Sequence, residues 1–109
     1  MERTIKPEVL KPLVEKSSIL LLDVRRKSDL DADKHQLPGA TWCDPEKMAD
    51  WSKTIHKDKP VVLYCVRGGS VSNSVVDHLL QQGIDARFIE GGIEGWKAAG
   101  GKTTAKSSE

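Results

Sequence analysis

The sequence has few cysteines and almost no net charge, and each shortage excludes a class of protein. Its two cysteines, Cys43 and Cys65, are too few for a disulfide framework, and their spacing fits neither a redox C-x-x-C pair nor a zinc knuckle. Lysine and arginine number 17 against 16 acidic residues, so the formal net charge of +1 gives no field that would gather nucleic acid or an anionic membrane. We therefore expect no nucleic-acid and no membrane partner, and any anion-binding site must be local.

Long apolar runs are also absent from the chain. The longest, residues 19–22 and 61–63, are far shorter than the roughly 20 residues that a membrane-spanning helix needs. The polar N-terminal residues lack the apolar core of a secretory signal, so we expect a soluble, cytoplasmic protein, although an exported chain whose signal had been removed would look the same. The length of 109 residues suits one domain, which we expect over residues 1–100, followed by a disordered tail at 101–109.

Segments with the character of strands alternate with segments of helical periodicity. Residues 19–24 and 61–65 are apolar runs typical of strands buried on both faces, and residues 86–89 predict a third strand. Helical spacing occurs at residues 6–16 and more clearly after Ser70, which can cap a helix in which five apolar residues share one face before Gly83. This alternation predicts an α/β fold with a mainly parallel sheet and helices on both faces.

The remaining segments are shorter and more polar. Residues 25–36 predict a loop with one helical turn, and Asp44 is expected to cap a short helix that begins at Pro45. Residues 93–99 predict another short helix. We expect Cys43 to pack as a small apolar residue, and the three histidines share no ligand spacing, so no metal site is predicted.

Cys65 is the last residue of the second predicted strand, at the strand end where ligands of parallel sheets gather. Gly68 and Gly69 would allow the backbone to curl with its N–H groups inward. The following helix would aim its positive end at the same point, and Arg67 adds a fixed charge. A free thiol has a pKa of about 8.5, and these surroundings would favour its thiolate. The loop is a candidate cradle for a thiolate, a persulfide or a small oxyanion. From spacing alone, a buried thiol beside an ordinary strand-to-helix turn is an equally good interpretation.

Between residues 19 and 100 the sequence resembles the rhodanese-like family. Four segments in the family's order carry the resemblance: Leu22-Asp23-Val24-Arg25, Leu37-Pro38-Gly39-Ala40, Val62-Leu63-Tyr64-Cys65 with its glycine-bearing loop, and Glu90-Gly91-Gly92-Ile93-Glu94-Gly95-Trp96. The resemblance implies a central, mainly parallel five-stranded sheet with helices on both faces. It also implies a sulfurtransferase, in which the loop cysteine takes a sulfane sulfur from thiosulfate or a related donor, forms a persulfide, and passes the sulfur to cyanide or a thiol. A protein could serve as the persulfide donor, and no metal or organic cofactor is implied.

The resemblance assigns roles to residues by their position. Cys65 is implied to be the catalytic nucleophile that forms the persulfide. The cradle around its sulfur is implied to consist of Val66, Arg67, Gly68, Gly69, Ser70 and Val71. Arg67 would bind the negative group of the donor, while Asp23 and Arg25 would support the site without reacting. Three further residues look architectural: Gly91, Gly92 and Trp96.

The loop also departs from the family's pattern. Many members carry an arginine late in the loop and then a small hydroxyl residue, whereas this chain has Ser70 and Val71 there, which leaves the donor open. Related cysteine phosphatases and arsenate reductases need an arginine six positions after the cysteine to clamp an oxyanion, and that position is Val71. A phosphatase is therefore disfavoured. A persulfide carrier without turnover, or a regulatory module, remains the alternative function.

Overall fold

The computed structural model describes residues 3–16, 18–33, 35–55, 58–67 and 69–105. The elements follow in chain order: β1 (Thr4–Ile5), α1 (Pro7–Lys16), β2 (Leu20–Asp23), α2 (Lys27–Ala32), β3 (His35–Gln36), β4 (Thr41–Trp42), α3 (Met48–Trp51), β5 (Val61–Tyr64), α4 (Ser70–Gln81), β6 (Ala86–Ile89), α5 (Gly92–Ala98) and β7 (Thr104–Ala105). Short 3₁₀ turns, Pro45–Lys47 and Ser52–Thr54, flank α3.

Five of the strands form one parallel sheet in the order β1-β6-β5-β2-β4. The predicted α/β fold with a five-stranded parallel sheet is confirmed. β5 and β2 lie at its interior, with Asp23 opposite Tyr64 in the register. The carboxyl ends of all five strands therefore meet at one edge, which is where Cys65 follows β5.

Alternating side chains divide the core between the two faces of the sheet. On one face, Leu22 and Leu63 pack with the apolar side of α4, which includes Val76 and Leu79. The other face is covered by α1 and α5. Its buried cluster comprises Ile5, Leu10, Leu21, Leu37, Val62, Tyr64, Ile89, Ile93 and Trp96. Continuous apolar runs are needed because β2 and β5 are buried on both faces.

Two short segments contain secondary structure beyond the sequence predictions. The polar stretch at residues 25–36 contains a full six-residue helix, α2, whose only buried side chain is Leu30, and it ends in β3. β3 pairs antiparallel with β7, which lies within the predicted tail at residues 101–109; residues 106–109 lie outside the described residues. No helix within the described ranges is long and apolar enough to span a membrane.

Candidate functional site

Cys65 is the first residue after β5, and its side chain is buried, with 7% of the residue exposed. Of the loop residues that follow it, Val66 is half-buried while Arg67 and Gly69 are exposed. Gly68, the third residue of the predicted cradle, lies outside the described residues. The chain then enters α4 at Ser70, so the structure brings Cys65 and the start of a twelve-residue helix to the same end of the sheet.

The start of α4 differs in one detail from the prediction. Ser70 was expected to cap the helix, but Gly69 occupies the cap position and Ser70 is the first helical residue, with its side chain exposed. The Gly69 carbonyl accepts hydrogen bonds from both the backbone N–H and the side-chain amide of Asn73, each at 3.2 Å. Arg3 in turn donates to the Asn73 carbonyl at 3.1 Å and pairs with Asp77. The first turn of α4 is thus tied to the N-terminal strand.

The backbone of Cys65 and Val66 is held from the opposite side by α5. The N–H of Ile93 donates to the Cys65 carbonyl at 2.9 Å, and the N–H of Glu94 donates to the Val66 carbonyl at 3.1 Å. These amides belong to the first turn of α5 and would otherwise lack a partner within the helix. The bonds turn the two carbonyls towards α5 and fix the direction in which the chain leaves β5.

This close approach explains why Gly92 is a glycine. A Cβ atom at this position would lie 2.5 Å from the Cys65 carbonyl oxygen and 2.6 Å from the carbonyl of Val66. The residue also has a φ of +62°, in the left-handed region that side chains other than glycine rarely adopt. Gly92 therefore has a specific contact, with the backbone at Cys65, that accounts for the architectural role the resemblance implies.

A buried polar network lies beneath the ends of β2 and β5. The carboxylate of Asp23 accepts hydrogen bonds from Arg25, Gln36 and Tyr64 at distances of 2.8–3.1 Å. The guanidinium of Arg25 also donates to the backbone carbonyls of Asp33 and His35 at 2.8 and 2.9 Å. Both members of the ion pair are buried, so the network satisfies groups that would otherwise be costly to remove from water.

The network sets the ionisation of its members. Burial alone would lower the pKa of Arg25, but the hydrogen bonds and the charge of Asp23 outweigh it and raise that pKa above its usual value. Burial, followed by the negative charge of Asp23, raises the pKa of Tyr64 so that its hydroxyl stays protonated and donates to the carboxylate. The Tyr64 hydroxyl also accepts from the N–H of Leu37 at 3.3 Å. Tyr64, the residue before Cys65, is thereby hydrogen-bonded to two other segments, at Asp23 and at Leu37.

Sequence reasoning identified Asp23 and Arg25 but missed Tyr64 and Gln36 as members of this network. A usable signal was present: Tyr64 is the only tyrosine, stands in a buried strand next to the cysteine, and needs a partner for its hydroxyl. Gln36 offered no comparable signal, because a glutamine in a polar stretch is normally exposed.

Cys43, the second cysteine, lies on the sheet near β4. Its side chain is half-buried and packs against the apolar cluster beneath α4, and its N–H donates to the Asp23 carbonyl at 2.8 Å. Burial, and secondly the charge of Asp23, raises the pKa of the Cys43 thiol. Cys43 and Cys65 do not form a disulfide in the described structure. A raised pKa disfavours the thiolate at Cys43, so this residue is the weaker nucleophile candidate.

Comparison with known proteins gives a consistent result. The family model described as a rhodanese-like domain matches residues 6–99. A protein of Coxiella burnetii (strain RSA 331 / Henzerling II) named thiosulfate sulfurtransferase GlpE is 36% identical over 87 residues, covering 79% of this chain and 78% of the relative. A protein of the same name from Pseudomonas savastanoi pv. phaseolicola is 32% identical over 97 residues, covering 88% of both. The crystal structure of a rhodanese-like domain protein from Staphylococcus aureus superposes with a TM-score of 0.79 at 28% identity, covering 98% of this chain and all of the other. The chain therefore belongs to the rhodanese-like domain family.

Proposed function

We propose that the protein is a sulfurtransferase that moves a sulfane sulfur from thiosulfate or a related anionic donor to cyanide or a thiol acceptor through a persulfide on Cys65. The observation that carries the proposal is the position of Cys65. Its carbonyl and that of Val66 accept hydrogen bonds from the first turn of α5, and the chain enters α4 at Ser70. The names of the relatives from Coxiella and Pseudomonas support the same class of reaction.

The chemistry proceeds in two displacements. The Cys65 thiolate attacks the outer sulfur of thiosulfate, the S–S bond of the donor breaks, and sulfite leaves with the bonding electron pair. Cyanide or an acceptor thiolate then attacks the outer sulfur of the persulfide. The S–S bond to Cys65 breaks, its electron pair returns to the cysteine sulfur, and thiocyanate or an acceptor persulfide departs. No net oxidation of the protein occurs over the cycle.

The loop residues act mainly through their backbone. In the proposed cradle, the peptide N–H groups of residues 66–71 surround the sulfur, and the N-terminus of α4 adds its positive dipole end. These donors stabilise negative charge on the thiolate and on the persulfide. Arg67 is exposed and is proposed to bind the sulfonate end of the donor.

Asp23 and Arg25 are proposed as positioning residues. Their ion pair holds Tyr64, whose carbonyl accepts the N–H of Val24 at 2.9 Å, and Cys65 is the next residue along the chain. This support fixes the end of β5 from which the loop departs. The proposal further includes a single domain over residues 1–100 and a cytoplasmic location.

The direct test replaces each cysteine separately and measures thiocyanate production from thiosulfate and cyanide. Cys65→Ser should abolish turnover while the far-ultraviolet circular dichroism spectrum stays unchanged. Cys43→Ser is the matched control, because it replaces the other thiol, whose pKa is raised by burial and to which the proposal gives no role. Turnover by Cys65→Ser at the wild-type rate would reject the proposal.

The role of Arg67 is tested by a change in KM. Arg67→Ala should raise the apparent KM for thiosulfate several-fold if the guanidinium grips the donor equally in the ground and transition states. Arg87→Ala is the control, since Arg87 lies on β6 and pairs with Val62, near the opposite end of β5 from Cys65. An unchanged KM in Arg67→Ala would remove Arg67 from the donor site. A sulfur carrier would give a different result: Cys65 would be fully converted to the persulfide, but no small sulfur donor would support repeated cycles of transfer.

A further inference from the structure

A small groove adjoins the loop that follows Cys65. It is open to solvent, has a volume of about 200 Å³, and lies between the first turns of α4 and the segments after β2 and β4. Its lining residues are Arg26, Pro45, Glu46, Met48, Ser70, Val71, Ser74 and Val75. Ser70 and Val71 belong to the proposed cradle, so one wall of the groove is shared with the sulfur site.

Two of the residues that line the groove, Arg26 and Glu46, carry opposite charges. Arg26 follows the buried Arg25 and occupies the cap position of α2, with its side chain exposed. Glu46 is exposed on the turn after Asp44. The two side chains do not form an ion pair with each other, and neither has an ion-pair partner among the residues that the structure describes. One cationic and one anionic residue, not paired with each other, therefore line the same small groove.

The register of the sheet places Arg26 at the edge where Cys65 follows β5. Asp23 and Tyr64 are opposite each other in the parallel pair of β2 and β5. Arg26 is three residues beyond Asp23, and Arg67 is three residues beyond Tyr64, so both arginines leave the sheet at the same edge. The hydroxyl-bearing side chains of Ser70 and Ser74 are exposed on the α4 wall of the groove.

We propose that this groove binds the acceptor, and that the acceptor is a low-molecular-weight thiol with an α-amino-acid head group. Arg26 takes its carboxylate and Glu46 its ammonium group. A purely anionic ligand would be repelled by Glu46 and a purely cationic one by Arg26, whereas a zwitterion satisfies both charges. The volume is below the 300–1,000 Å³ or so typical of sites for drug-sized ligands, which suits a molecule the size of one amino acid.

This inference rests on the proposed function, because it names the acceptor of the Cys65 persulfide. The acceptor thiolate attacks the outer sulfur, and a new S–S bond forms to the acceptor. The bond between the outer sulfur and Cys65 breaks, with its electron pair left on the cysteine as thiolate. The proton of the acceptor thiol ends on the transferred sulfur, so charge and atoms balance without an added oxidant.

The test is a discharge experiment with three related thiols. The protein is loaded with thiosulfate, separated from it by desalting, and mixed with L-cysteine, with cysteamine, which lacks the carboxylate, or with 3-mercaptopropionate, which lacks the ammonium group. The rate of sulfur loss from Cys65 is followed by intact-protein mass spectrometry. Comparing the same thiols across variants cancels their intrinsic reactivity.

Arg26→Ala should lower the rate with cysteine relative to cysteamine by about fivefold, the upper range for one exposed ion pair. Glu46→Gln should similarly lower the rate with cysteine relative to 3-mercaptopropionate. Lys27→Ala is the matched control, since this exposed cation is next to Arg26 but pairs with Asp31 and does not line the groove. It should leave both ratios at their wild-type values.

Ratios that stay unchanged in both Arg26→Ala and Glu46→Gln would overturn the groove assignment. Failure of the proposed function has a different signature, because wild-type protein would then neither load sulfur on Cys65 nor release it to cyanide. Both groove side chains are exposed, so their replacement should not alter the thermal melting temperature, which is checked for each variant.

Discussion

The carbonyl oxygen of Cys65 lies 2.5 Å from the position that a Cβ atom on Gly92 would occupy. This relationship couples the loop of the proposed nucleophile to the first turn of α5, whose N–H groups at Ile93 and Glu94 hold the same stretch of backbone. The loop geometry therefore depends on a residue that is distant in sequence and carries no reactive group.

Gly92→Ala should destabilise the protein and displace the loop. Gly39→Ala is the matched control, because Gly39 has a φ of +81° but open space where its Cβ would be placed. The control should cost only the backbone strain, about 1–2 kcal/mol. Gly92→Ala should cost about 1–3 kcal/mol more, because the carbonyls of Cys65 and Val66 must move. Urea unfolding measures the difference in unfolding free energy. Equal decreases in the two variants would show that the contact between Gly92 and the Cys65 loop does not affect stability.

Asp23→Asn should cost about 3–5 kcal/mol of unfolding free energy, because it leaves the buried guanidinium of Arg25 without its counter-charge. The comparison is Asp31→Asn, which removes the exposed pair with Lys27 at 3.3 Å and should cost less than about 1 kcal/mol. Denaturant unfolding at neutral pH gives both values. Similar small losses would mean that the Asp23 network contributes no more than a surface pair.

Asp33 predicts a pH-dependent contribution to stability. Its hydrogen bond with Lys97, on α5, is the main cause that lowers the pKa of this carboxyl from 3.8 to about 2. Because the folded-state pKa is the lower one, the contribution is complete above the unfolded value and is lost as the pH falls from about 4 towards 2. Asp33→Asn should therefore be less stable than wild type at pH 6, and the gap should close in acid. A gap that is independent of pH would exclude this ionic origin.

The central features of the fold could be predicted because they depend on local patterns. The segments that form β2 and β5 are apolar except for Asp23 and the tyrosine hydroxyl at their ends, and the apolar face of α4 ends before Gly83 as helical periodicity requires. The short strands were different. β1 has two residues, and its identity depends on pairing with Phe88, which no local pattern at Thr4 or Ile5 could indicate.

The same contrast holds at the candidate site. The cysteine, its glycines and the following helix form one continuous segment, so their association followed from sequence and from the family resemblance. The partner of Gly92 and the hydroxyl bond from Tyr64 to Asp23 connect residues more than 25 positions apart. Such contacts arise from the sheet order, which the sequence pattern constrained without specifying each pair.

The most direct test of the account is intact-protein mass spectrometry after incubation with thiosulfate. The account predicts one added sulfur atom per chain, located on Cys65 by peptide mapping, removed by cyanide with release of thiocyanate, and absent in Cys65→Ser. Retention of the added sulfur in Cys65→Ser, or no added sulfur on the folded wild-type protein with any sulfane donor, would contradict it.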